Sequence, residues 1–312
     1  MMNNSILKIS LPAIIACILW STAFPAVKIG LLYCDPLPFA GIRFIFSGFI
    51  LLLFIILIKK KADISLSLSF PQYKTVFWVS IFQTVILYAL YFIGMTYVSS
   101  AIAAIIIGSS PLITALTAHV ITNDDKITKA KLACIIAGIF GIVIITVDKS
   151  PLGQGSYSQI YGIILLIVSS ISSAVGNIIV SKDKGMVNPV ILTSYQMIIG
   201  GVILLGISIL FYGIPPLVTN FIFYIALFWL AILSAIAFSI WFWLLQKDEV
   251  QVSELNIWKF IIPVFGVVLS WILIPDEHPS VIITIGMLIA AFSVLLYNIS
   301  GGRPNKLIDS NK

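Results

Sequence analysis

Charge is scarce in this chain: 10% of its 312 residues are charged against 60% hydrophobic, and the mean hydropathy is +1.12. A soluble protein of that length cannot bury so much apolar surface, so the composition excludes one and requires a chain that crosses a membrane many times. Cysteine is sparse as well. Cys17, Cys34 and Cys134 form no CxxC pair and fall in or beside apolar runs, which excludes a disulfide framework and leaves them as small packing residues. The two histidines, His119 and His278, are too few and too far apart for a metal site. HExxH, GxSxG and DDxxD patterns are absent and Asp124-Asp125 stand alone in a short loop, so a membrane-embedded enzyme, the rival of a different class, lacks its nucleophile, metal cluster or paired carboxylates. No break between apolar runs is long enough for a soluble domain, which argues against a receptor or structural subunit. Lys8 precedes the first apolar run and no A-x-A-like cleavage site follows, so that run is expected to stay as an uncleaved helix.

What the chain has instead is apolar runs of bilayer length, at about 11–32, 36–58, 75–93, 97–121, 130–147, 159–181, 189–212, 219–245, 251–274 and 280–298. The expected fold is therefore all-α integral membrane, with ten transmembrane helices and short tails at 1–10 and 299–312. Short cytoplasmic loops collect Lys and Arg. If both termini are cytoplasmic, fourteen of the eighteen basic residues lie inside, from Lys8 and Lys59-Lys60-Lys61 to Arg303, Lys306 and Lys312, while only Lys28 and Lys149 lie outside. The other two, Arg43 and Lys259, fall within spans. The net charge of +6 thus needs no nucleic-acid partner.

The halves repeat weakly at an offset of 151 to 153: Ser21-Thr22-Ala23 matches Ser172-Ser173-Ala174, Asp35-Pro36 matches Asn188-Pro189, Pro111 matches Pro263, and Asp124-Asp125 matches Asp276-Glu277. Five helices per copy is an odd number, so the second copy, expected over 159–298, inserts upside down relative to the first, over 11–147. Inverted repeats of this kind place a substrate site near the midplane at their interface.

Ten spans in two five-helix repeats, a first span reading Leu19-Trp20-Ser21-Thr22-Ala23-Phe24-Pro25-Ala26-Val27-Lys28, a second opening Asp35-Pro36 with Arg43 seven residues on, and a small-residue run in the fourth span ending at Pro111 resemble the drug/metabolite transporter superfamily, EamA type. The resemblance covers about 11 to 298. It implies export or exchange of small organic metabolites, amino acids among them, by alternating access in the cell's inner (plasma) membrane. Some members import, and import or exchange of a phosphate- or nucleotide-bearing metabolite is the alternative. The implied partners are a small-molecule substrate and the lipid bilayer, with the chain a monomer or homodimer and no cofactor or metal called for.

The candidate binding residues follow from the cost of charge in a bilayer, several kcal/mol unless it faces protein, water or a partner. Lys259 is the lysine placed well inside an apolar span, about 12 Å from the start of its helix at Gln251. Ser253, Asn256, Lys259, Pro263, Gly266 and Ser270 share one face at steps of three and four, so Lys259 with Asn256 is expected to face an interior cavity, unless its stem snorkels to the surface. Arg43 lies about 10 Å from the outer end of its helix and either binds substrate or ties helix ends through its donors. Two cations without a clearly intramembrane carboxylate favour a substrate bearing a carboxylate or phosphate. Ser80, Thr84, Tyr88 and Tyr91, with Gln83 beside them, form a polar stripe on the third span that lines a cavity or bonds between helices. Ser169, Ser173, Gly176 and Asn177 form a small polar face on the sixth. Of Trp20, Trp241, Trp243 and Trp258, expected mainly as lipid-facing or packing residues, only Trp20 joins the candidates. Pro111 and Pro263, with Gly266, are expected to kink or gate the fourth and ninth helices. His119 and Glu254, near cytoplasmic helix ends, are candidate proton carriers that interfacial solvation equally explains.

Overall fold

In the computed structural model, described over residues 4–62, 66–121, 128–146, 156–248, 250 and 252–299, every regular element is a helix. The long ones are α1 (Asn4–Gly30), α2 (Pro36–Ala62), α7 (Lys129–Thr146), α8 (Ser156–Asp183), α9 (Pro189–Tyr212), α10 (Phe221–Leu245) and α13 (Val281–Ile299). Three segments are compound. The first joins α3 (Phe70–Ser80) and α4 (Leu87–Tyr97) through a π-helical stretch, Ile81–Ile86; the second breaks into α5 (Ser100–Gly108) and α6 (Ser110–Ile121); the third runs from α11 (Val252–Asn256) through a 3-10 turn, Ile257–Phe260, into α12 (Ile261–Leu273). Among the described residues, seven helices are long and apolar enough to cross a membrane, and shorter apolar helices run over Trp258–Leu273 and Val281–Tyr297.

Local chemistry sets the ends. Asn188 and Asn220 accept hydrogen bonds from Val190 N and Ile222 N at the starts of α9 and α10, and Ser99 accepts one from Ile102 N at the start of α5. Pro189 sits at the first position of α9, where its missing N–H costs nothing. Gly213 ends α9 with φ 80, a left-handed conformation that glycine adopts freely. The first helix starts at Asn4, ahead of the apolar run at 11, because neither Gly nor Pro interrupts the chain before Pro12.

The packing pairs α1 with α10, α2 with α9, α4 with α8, α5 with α12, and α7 with α13. Small residues allow the close approaches, as expected where lipid offers no hydrophobic drive between helices. A Cβ on Gly41 would lie 2.8 Å from Leu205 N, and one on Gly201 2.8 Å from Gly41 O, so α2 and α9 touch backbone to backbone. At the α5–α12 crossing a Cβ on Gly108 would overlap the Pro263 ring, and one on Gly266 would meet Ala104 Cβ at 2.7 Å. The fourth and ninth segments of the chain therefore cross at Gly108 and Pro263, and the helical breaks at Ser109 and Ile257–Phe260 end two and three residues before Pro111 and Pro263.

One end of the bundle is tied by charged groups. The Glu277 carboxylate, between α12 and α13, accepts from Ser100 N at 2.6 Å, Ser100 Oγ at 2.8 Å and Ala101 N at 3.0 Å, capping α5 from another part of the chain. Lys28, at the end of α1, donates to Met95 O at 2.9 Å and Val98 O at 2.7 Å at the end of α4. Lys28 and Glu277 also attract one another electrostatically.

Candidate substrate cavity

Seven helical segments line a cavity of about 80 Å³. Its wall holds Trp20, Phe24, Arg43, Gln83, Tyr88, Tyr91, Ser110, Ser169, Ser170, Ser173, Asn177, Phe238, Trp241 and Lys259. Rings and donors dominate, and the described wall includes no carboxylate.

Lys259 is 6% exposed, so it does not snorkel away from the interior. Its ammonium lies over two indoles, 5.1 Å from the ring centre of Trp241 and 5.8 Å from that of Trp20. Among the described residues it has no hydrogen bond or ion pair, which leaves its three N–H donors for whatever enters. The 3-10 turn Ile257–Phe260 carries it, a local tightening of the kind found at hinges and functional sites.

Arg43 is held differently. At 1% exposed, it spends Nε and Nη2 on Ser234 Oγ at 3.1 and 2.6 Å and lies over the rings of Phe44, Tyr88 and Phe92 at 4.8, 5.3 and 5.7 Å. Only Nη1 lacks a partner. Rings connect the two cations: Tyr88 lies 6.2 Å from Phe238, Phe238 5.4 Å from Trp20, and Trp20 5.0 Å from Trp241, all edge-on.

The π-helical stretch explains a departure from the expected polar stripe. The wider turn rotates Ser80 and Thr84 off the cavity face. Ser80 donates to Val76 O, Thr84 to Gln196 on α9, while Gln83, Tyr88 and Tyr91 line the cavity. Gln83 Nε2 donates to Asn177 Oδ1 at 2.6 Å and Ser173 O at 3.3 Å, and a Cβ on Gly176 would strike the Gln83 stem, so that glycine admits the contact. Asn177 Nδ2, Trp20 Nε1, Trp241 Nε1 and Ser110 Oγ remain unpartnered, as does Arg43 Nη1. A buried polar group left without a partner costs about 1–3 kcal/mol.

Of the sequence candidates, Trp20, Arg43, Gln83, Tyr88, Tyr91, Asn177 and Lys259 meet in this one cavity. Asn256 does not reach the wall; buried one turn before Lys259, it donates to Val252 O and leaves Oδ1 unpartnered. Pro263 and Gly266 lie at the α5–α12 crossing instead. Trp241, expected among the lipid-facing or packing residues, is 1% exposed and lines the cavity, whereas Trp243 is exposed at 42%. Phe24 and Phe238 were missed because an apolar ring in an apolar span gives no signal of its own. The side chains of His119 and Glu254, and Asp124-Asp125, lie outside the described residues. Cys34, in the turn between α1 and α2, is half-buried, and desolvation, with Asp35 adding to it, pushes its thiol up to about 11, so it stays protonated and weakly reactive at neutral pH.

A many-helix membrane protein with a central ringed cavity is the class that this fold and site define. The sequence model of the EamA-like transporter family matches twice, over residues 7–147 and 160–299, and the chain belongs to that family. It is 25% identical over 287 residues to a Bacillus subtilis (strain 168) protein described as "Uncharacterized transporter YvbV", covering 90% of this chain and 88% of the relative. It is 23% identical over 288 residues to "Uncharacterized transporter YoaV" of the same organism, covering 92% and 94%. A match to an Archaeoglobus fulgidus "Uncharacterized transporter" is 27% identical over 156 residues, half of this chain and 51% of that protein. A solved crystal structure shares the fold, with a TM-score of 0.70 at 17% identity over 94% of this chain and 97% of the other.

Proposed function

We propose that this transporter moves small carboxylate-bearing metabolites by alternating access, with Lys259 as the anchor for the carboxylate. The observation that carries the reading is the cavity wall: two buried cations, four further unpartnered polar groups at Trp20, Ser110, Asn177 and Trp241, and no described carboxylate to balance them. Tyr88, Tyr91 and Gln83 complete the binding set. Export is the direction that the family resemblance favours. Arg43 favours a second reading, a phosphate- or nucleotide-bearing substrate that engages both cations, but its single unpartnered nitrogen weighs against it.

The reading includes ten membrane-crossing segments arranged as two inverted five-helix repeats with both termini cytoplasmic. Supporting it, the family match falls twice on the chain, and wall residues correspond between halves: Trp20 with Ser173, Phe24 with Asn177 and Tyr88 with Trp241 at an offset of 153, Ile107 with Lys259 and Ser110 with Ile262 at 152. The dominant helix pairs agree, since exchanging the halves maps α2–α9, α5–α12 and α7–α13 onto themselves and α1–α10 onto α4–α8. The site is then made by the interface between repeats, and the breaks before Pro111 and Pro263 are the bending points.

An untargeted metabolite comparison of cells with and without the gene tests the reading, followed by flux of the affected compounds in proteoliposomes. Carboxylates should change, and their flux should fall sharply in Lys259→Met, which keeps the stem and removes the charge. A set of affected compounds that are neutral or cationic overturns it.

A further inference from the structure

The wall is specific about more than charge sign. We infer that the cavity selects a flat aromatic acid without an amino group, the carboxylate on Lys259 and the ring among Trp20, Phe24, Tyr88, Phe238 and Trp241. The inference rests on the carboxylate reading and deepens it.

Three observations lead there. First, Lys259 lines the cavity with no hydrogen bond or ion pair among the described residues, the nearby indole nitrogens of Trp20 and Trp241 lack partners, and the described wall holds no carboxylate. A carboxylate oxygen pair accepts from such a set. Second, an α-ammonium is two bonds from the carboxylate carbon and would be carried against the Lys259 charge. The side-chain oxygens of the described wall, the hydroxyls of Tyr88, Tyr91, Ser110, Ser169, Ser170 and Ser173 and the amide oxygens of Gln83 and Asn177, are all neutral groups. These accept a hydrogen bond but balance no charge, and the faces of Trp20 and Trp241 are already engaged by Lys259. Like charges repel more strongly at the lower dielectric of a protein interior than in solution. Third, the rest of the wall is ring surface, from Phe24, 6.1 Å from Tyr91, through Tyr88 and Phe238 to Trp20 and Trp241. A flat ring fills such a wall edge-to-face, whereas an alkyl chain gains only its area. Arg43 is committed to Ser234 and three rings, so a single carboxylate suffices.

The test is binding to the purified full-length protein in detergent, read by calorimetry and by the ligand-induced rise in Tm. The probes are 3-phenylpropionate, phenylalanine, phenethylamine, hexanoate and succinate. 3-Phenylpropionate should bind on the order of tenfold more tightly than phenylalanine and succinate, roughly fivefold more tightly than hexanoate, and phenethylamine should not bind. Lys259→Met should lose 3-phenylpropionate, and Lys259→Arg should keep the order of preference. Should either variant fail to fold, the wild-type series alone decides. Phenylalanine equal to or tighter than 3-phenylpropionate overturns the exclusion of the amine while leaving the carboxylate reading intact. Hexanoate equal to it overturns the aromatic body alone. Succinate tightest shows a dianion site that uses Arg43. Phenethylamine tightest overturns both readings, and binding of none of the five overturns the inference.

Discussion

Lys259 and Arg43 are both cations buried in the bundle, but they differ in the donors they have left. Arg43 has two nitrogens on Ser234 and three rings around its guanidinium, so its first duty is to hold α2 against α10. Arg43→Lys keeps the charge and loses the fork geometry, and should lower stability by about 1–3 kcal/mol, seen as a lower Tm in detergent. Unchanged stability would mean that the Ser234 bonds hold nothing. Lys259 has no such commitments, and its prediction concerns transport rather than stability. This contrast was half legible in sequence. A lone lysine in an apolar span was legible as a candidate, and Lys259 lines the cavity. Whether Arg43 is brace or ligand could not be read, because Ser234 lies 191 residues away on an unremarkable apolar helix. Trp241 could have been found: it is the counterpart of Tyr88 at the repeat offset.

At the scale of elements, all three irregular segments contribute residues to the site. The π-helical stretch turns Gln83 toward Asn177 and Thr84 toward Gln196, which a uniform 3.6-residue period places on neighbouring strips of one face. A period read from sequence assumes constant helical geometry, so the positions of Ser80 and Thr84 were not recoverable from it. At the α5–α12 crossing the partner of Pro263 is Gly108 rather than another proline. Gly108→Ala puts a methyl into the Pro263 ring and should cost about 1–3 kcal/mol by thermal unfolding; a neutral outcome would mean that the two helices move apart freely there. Glu277→Ala removes the acceptor for Ser100 N and Ala101 N and should cost about 1–2 kcal/mol by the same measurement. No loss would show that α5 does not depend on this cap.

The whole molecule presents its topology as the largest prediction. The lysine and arginine asymmetry puts residues 59–74 and both termini in the cytoplasm, and alternation along the chain then puts the turn after α9 outside. Ser67 and Leu217, both exposed, are suitable reporters. In a background without Cys17, Cys34 and Cys134, an impermeant maleimide applied to intact cells should label Leu217→Cys and leave Ser67→Cys untouched; the reverse pattern would invert the proposed orientation. The helical architecture and the doubled family pattern were legible because hydropathy and repeat offsets are properties of the chain itself. The cavity was legible only in its polar members, since rings become a wall only when seven segments fold around the same space.

The central claim is that this cavity carries carboxylates across the membrane on Lys259, and it is tested without choosing a substrate in advance. Proteoliposomes are filled with the small-molecule fraction of a cell extract, and mass spectrometry follows which compounds leave through wild-type protein, through Lys259→Met and through protein-free vesicles. The account predicts that compounds leaving only through the wild type are carboxylates, and that Lys259→Met, inserted and monodisperse, releases them no faster than empty vesicles. Escape of neutral or cationic compounds instead, or undiminished escape through Lys259→Met, would contradict it.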